Sequence, residues 1–263
     1  MIRPNRRSVA AALLAGGGHV GALLALFETL EYTTVEATPL LGLFALLAFV
    51  QGAVPVLVSA HTRLLAPASG LVALFSGVVA VELSGAGDSA LLEMYVMSIV
   101  TGLTGGFVVF AGVLEFAIRQ GYRLGAGRLR NLPPLPGDDS SRRVAVGSAG
   151  LVGLPAGVLG FFFGGPVIAL LVLVLVLATV AAAVPLLALL RGGFVSPLVP
   201  FAIVVPYVLY GHAFYMTEVS GMGLLLLGPA AVLSALAWKI ERAVRSRIGG
   251  RDGTAFADRS DCG

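Results

Sequence analysis

Eight apolar runs, each close to the length of a helix that crosses a bilayer, take up most of the chain. They cover about residues 8–27, 39–59, 65–83, 94–117, 144–163, 166–190, 197–216 and 221–241. A hydrocarbon core about 30 Å thick is crossed by about 20 apolar residues in an α-helix. In that medium the backbone must satisfy its own hydrogen bonds, which a helix does within itself. The expected fold class is therefore all-α: a polytopic helical membrane protein with about eight transmembrane helices.

Composition agrees. Of 263 residues, 12% are charged and 57% hydrophobic, whereas a soluble domain carries roughly 25% charged residues to cover its surface. Mean hydropathy is +0.96, so the lipid bilayer is the natural solvent. A pI near 9.3 would suggest nucleic acid for a soluble chain. Here the basic residues flank apolar runs, which reads as topology, and no nucleic acid partner is expected. The single cysteine, Cys262, lies near the end of the sequence, so no intrachain disulfide is available.

Charge tests the span count independently, because positive residues stay on the cytoplasmic side. Eight spans threaded from a cytoplasmic N-terminus place all 17 Lys and Arg residues in inside segments. The outside segments carry Glu28, Glu31, Glu36, Glu82, Asp88, Glu93 and Glu218 instead. Both termini are then cytoplasmic, in a multi-pass protein of the cell membrane. Asn5-Arg6-Arg7-Ser8 looks like a twin-arginine signal. No small-x-small cleavage site precedes Glu28, so residues 8–27 are expected to stay as the first span. The preference for Arg over Lys, with abundant Ala, Gly, Val and Leu, suggests a high-GC prokaryotic genome.

The chain divides into a first four-span half (1–117), a basic and Pro-rich cytoplasmic linker (118–143), a second four-span half (144–248) and a tail (249–263) expected to be disordered. The fifth and sixth spans are separated only by Gly164-Gly165-Pro166, read as a tight hairpin. The halves share punctuation. Each starts at an Arg pair (Arg6-Arg7, Arg142-Arg143), and each second span has a proline near its inner end (Pro55, Pro185) followed by one Arg (Arg63, Arg191). A proline then opens each third span (Pro67, Pro197). Four spans per half would make this a pair of parallel four-helix repeats, an arrangement found in transporters.

Several G-x-x-x-G spacings (Gly17/Gly21, Gly102/Gly106, Gly153/Gly157, Gly160/Gly164) favour close helix packing. The sixth span, almost purely aliphatic from Leu170 to Val184, is expected to face lipid. Polar residues at membrane depth are the functional candidates. His19 and Gln51 lie deep in the first and second spans. Ser98, Thr101 and Thr104 recur every three residues along the fourth. Pro206 breaks the seventh span and frees a backbone carbonyl, beside Tyr210 and His212 near the outer surface. Together these eight residues form the expected substrate or proton path. Glu115 and Arg119 are spaced for an ion pair at the inner end of the fourth span.

The chain has no H-E-x-x-H, G-x-S-x-G or Walker-type motif. Its three histidines lie at three different depths, and its only lysine, Lys239, lies at a helix end. No enzymatic activity, cofactor or metal site is expected. The first functional expectation is a transporter or permease for a small solute or ion. The second is a non-transporting scaffold that binds a cytoplasmic protein through its basic face. A polar cavity lined by His19, Gln51 and Thr101 would favour the first, and a tightly packed interior the second.

Overall fold

The computed structural model describes residues 5–30, 40–84, 93–124, 129–163, 168–214 and 221–248. Among these, eight α-helices and a short 3-10 turn account for the regular structure, and no strand occurs. The helices are α1 (Arg6–Thr29), α2 (Leu40–Thr62), α3 (Ala66–Leu83), α4 (Glu93–Gly121), α5 (Asp138–Phe163), α6 (Ile168–Gly192), α7 (Leu198–Phe214) and α8 (Leu227–Ile248), with the 3-10 turn at Gly221–Leu226 before α8. Six of them (α1, α2, α4, α5, α6 and α8) are long and apolar enough to cross a membrane; the apolar stretches Ala66–Val81 and Leu198–Phe214 are shorter. The chain is thus a helical bundle of the multi-pass membrane type.

Packing runs through small residues, because lipid tails give helices no hydrophobic reason to associate and close contact must supply the energy. On α5, a Cβ at Gly157 would lie 2.8 Å from Leu175 and 3.0 Å from the Leu171 carbonyl oxygen of α6, and one at Gly160 would lie 2.7 Å from Val174. Gly153 faces Thr179 and the Leu175 carbonyl in the same seam. Gly102 and Gly106 of α4 face Pro155 and the Leu151 backbone of α5, which joins the two halves of the chain. Gly16 and Gly52 do the same for α1 and α2. Gly17 and Gly21, by contrast, face open space. That spacing therefore packs nothing within the chain, and Gly164 lies outside the described residues.

Helices α1 and α2, α4 and α5, and α4 and α7 run antiparallel. Phe27 meets Phe44 while Gly52 sits against His19, Gly102 meets Pro155 while Gly106 meets Leu151, and Thr104 meets Tyr210 while Phe110 meets Phe201. The basic ends of α2, α4, α6 and α8 consequently gather at one end of the bundle. The expectation that α6 faces lipid fits only part of the helix: Val172, Leu173, Val176 and Val180 are exposed. Its C-terminal half lies inside the bundle, with Ala178, Ala181, Ala182, Leu186, Leu189 and Leu190 fully buried among α5, α8, α7 and α4. Apolar character cannot separate a helix solvated by lipid from one solvated by protein.

The linker is also shorter than the composition suggests. Helix α4 runs on to Gly121 and α5 already begins at Asp138. The intervening chain docks on the bundle: Arg130 N donates to Thr62 O at 3.2 Å, and Asn131 Nδ2 donates to His61 O at 3.2 Å. Residues 164–167, with the expected hairpin at Pro166, and the tail 249–263 lie outside the described residues.

The α5–α6 seam makes a clear prediction. Gly157→Val adds bulk where no room exists and should destabilise by about 1–3 kcal/mol, whereas Gly17→Ala points into open space and should be neutral. Thermal unfolding of the detergent-solubilised variants measures both, and equal melting temperatures for the two would refute the packing argument.

Candidate functional site

A cleft of about 410 Å³ lies where α2, α4 and α5 meet, at the contact between the two halves. Helix α2 contributes Phe44, Leu47, Val50, Gln51, Val54 and Pro55. Helix α4 contributes Thr101, Gly102, Gly105, Gly106 and Val109, and α5 contributes Leu151, Leu154 and Pro155. The room comes from α4. Gly102 and Gly106 let α5 approach on one side, while Gly105 faces the cleft with no atom within 4 Å of where its Cβ would be. Leu47, Val50, Leu151 and Leu154 are exposed at the rim, so the cleft opens on the side of the bundle. In a membrane that side is lipid.

Its polar wall consists of Gln51 and Thr101. Gln51 lies midway along α2, and its Oε1 is buried, with the His19 ring as the donor facing it from α1. His19 stands behind Gln51, within side-chain hydrogen-bonding reach across the α1–α2 seam. It is buried, set edge-on to Phe75 at 4.7 Å between ring centroids, and does not line the cleft.

The remaining expected path residues do not converge there. Thr104 turns away from Thr101 and shares a 2.9 Å hydrogen bond with Tyr210 Oη of α7. Tyr210 is further enclosed by Phe107 and Phe214, stacked at 5.7 and 6.4 Å. His212 Nδ1 lies 2.7 Å from the Val208 carbonyl oxygen one turn back, and its ring covers Gly223 of the 3-10 turn. Pro206 lies inside α7, away from the cleft. The Ser98 side chain lies outside the described residues. Among the described residues, the expected path residues fall into separate groups. Gln51, Thr101 and, indirectly, His19 form one group; Thr104 and Tyr210 form a second; His212 belongs to a third. Among the described residues, no cluster of His, Cys, Asp or Glu could hold a metal ion.

Sequence reading missed a pair of matching sites at the basic end. Glu115 pairs with Arg119 at 2.9 Å as its spacing suggests, but its other oxygen accepts the Ala66 backbone N–H at 2.5 Å. Glu241 pairs with Arg245 at 2.5 Å and accepts the Ser196 N–H at 2.9 Å. Each glutamate of a fourth helix thus caps the start of the third helix in its half, satisfying a donor that the helix itself leaves free. Pro67 and Pro197 follow directly, at the position where a missing N–H costs nothing. Three residues before each capped N–H, the chain turns through a left-handed residue, Arg63 at φ 63° and Gly193 at φ 62°. Each of these donates to the carbonyl four residues back, Ser59 and Leu189, at 2.8 Å. By backbone angle and position before the capped N–H, Arg63 matches Gly193, whereas the punctuation paired it with Arg191.

The two caps differ in their surroundings. Arg245 also donates to Gly192 O at 3.3 Å and Gly193 O at 2.9 Å, and lies 4.8 Å over the Phe194 ring. Tyr122, just past α4, donates its hydroxyl to Gly193 O and so ties the first half to the second. Comparison with family models, curated proteins and solved structures returns no match for this chain.

The Thr104–Tyr210 bond should be measurable on its own. A double-mutant cycle of Thr104→Val and Tyr210→Phe, read by unfolding in detergent, is expected to give a coupling of about 0.6 kcal/mol, the usual size for such bonds between membrane helices. A coupling indistinguishable from zero would mean that the bond contributes nothing to holding α4 on α7.

Proposed function

We propose that this chain crosses the cell membrane eight times, with both termini in the cytoplasm, and acts as a permease-type transporter. The reading rests on the cleft between α2, α4 and α5, whose apolar wall carries two polar side chains, Gln51 and Thr101. The cleft lies at the junction of the two halves, where an alternating movement of one half against the other would open and close it. Its wall holds no charged group, which argues against an ion and for a small, mainly apolar solute carrying a hydrogen-bond donor. Gln51 and Thr101 would orient that donor.

The eight-span count draws on the antiparallel order of the helices and on the charge pattern. Helix α7, with 17 residues, reaches about 26 Å at 1.5 Å per residue, close to the ~30 Å core. The matched caps, the left-handed residues and the Pro55/Pro185 pair support an internal duplication with the halves in parallel. The second reading, a scaffold, draws on the interior outside the cleft, where Thr104, Tyr210, His212 and both capping glutamates are already partnered.

Uptake into proteoliposomes of small alcohols, amides and weak acids tests transport. Gly105→Trp fills the cleft and should reduce uptake to the level of empty vesicles. Gln51→Leu, which removes one hydrogen bond, should lower it by about two- to tenfold. If no solute in the panel enters faster than through bare lipid, the transport reading fails. Topology is checked separately with an impermeant thiol reagent. The native Cys262 should react only from the cytoplasmic side, and Ser84→Cys, in a Cys262→Ser background, only from the outside.

A further inference from the structure

A second, smaller cavity of about 230 Å³ continues the cleft toward the basic end of the bundle. The two share Val54, Pro55 and Val109, so they form one groove along α2 and α4. From Phe44 to Val58 on α2 the groove follows a rise of about 21 Å at 1.5 Å per residue. That is longer than one leaflet of a core about 30 Å thick. Every residue lining the smaller cavity is apolar, Val58, Leu64, Phe116 and Val144 among them.

Four arginines lie close in the chain to residues at its basic end. Arg63 precedes the lining residue Leu64, and Arg142 and Arg143 precede the lining residue Val144. Arg130 is brought to the Arg63 turn by its backbone bond to Thr62 O. All four residues are exposed. Asp138 and Asp139 open α5 one turn before the Arg pair, so the surplus at the mouth is two positive charges rather than four. An apolar slot longer than a leaflet that ends in a cationic mouth matches one kind of molecule: tail in the slot, anionic phosphate among the guanidinium groups.

We propose that the groove holds one acyl chain of an anionic glycerophospholipid from the leaflet at the basic end, with its phosphate held by Arg63, Arg130, Arg142 and Arg143. The chain fills the inner cavity, and its end reaches the cleft beside Gln51 and Thr101. This inference uses the groove and the arginines and does not depend on transport.

Native mass spectrometry of the full chain tests it, after equilibration with equal amounts of dioleoyl phosphatidylglycerol and dioleoyl phosphatidylcholine. The wild type should retain one lipid with about a tenfold preference for the anionic one. Changing the four arginines to glutamine, all at exposed positions, should bring the preference close to one while some lipid is still retained. Val58→Trp, in the inner cavity, should reduce retention of both lipids, whereas Gly105→Trp, in the outer cleft, should leave the preference intact. Equal retention of the two lipids by the wild type would overturn the proposal. So would an anionic preference that survives loss of the four arginines, or retention unchanged by Val58→Trp.

Discussion

Close backbone approach at glycines is the contact on which this bundle depends. In water, apolar faces are driven together; in lipid they are not, and helices stay together only where their surfaces fit closely enough for dispersion and weak polar contacts to add up. Gly153, Gly157 and Gly160 give α5 and α6 such a fit, and Gly102 and Gly106 extend it to α4. The second of these seams connects the halves of the chain. It also creates the cleft, because the helix that approaches α5 on one face presents Gly105, with no side chain, on the next.

The polar bonds between helices are distributed unevenly. At the basic end, Glu115, Glu241, Arg245, Tyr122, Arg130 and Asn131 link helix ends and loops. Within the bundle, the Thr104–Tyr210 bond and the His19–Gln51 pair accompany mostly aromatic and aliphatic contacts. The capping glutamates explain why the basic end tolerates short loops. Each supplies from a distant helix the acceptor that an N-cap residue usually supplies locally. Ala66 has no side-chain acceptor of its own, so without Glu115 its N–H would depend on water at a membrane boundary.

Much of the fold is legible in the chain because span length and charge are one-dimensional signals. The helices fall close to the apolar runs, and the Glu115–Arg119 pair follows directly from its spacing. Lateral arrangement is not legible. An aliphatic helix such as α6 looks the same whether lipid or protein surrounds it, so its central place could not be read from Leu170 to Val184. Thr101 and Thr104 share a side of α4 only approximately, since three residues leave about 60° between them around the axis. That angle sends one to the cleft and the other to α7. Glu241 and Ser196 lie 45 residues apart, beyond any local pattern. The correspondence of Arg63 with Gly193 was hidden because the two residue types share no chemistry, only a backbone angle.

The glycine seam between α5 and α6 also limits how this sequence can vary. Any replacement of a glycine adds at least a Cβ, and at Gly153, Gly157 and Gly160 that carbon meets atoms already in place, several of them backbone carbonyl oxygens that cannot rotate aside. These positions therefore have no neutral neighbours one substitution away. A compensating change in the side chain of Val174, Leu175 or Thr179 could relieve only part of the clash. The seam is a place where the sequence can change only if the distance between two helices changes with it.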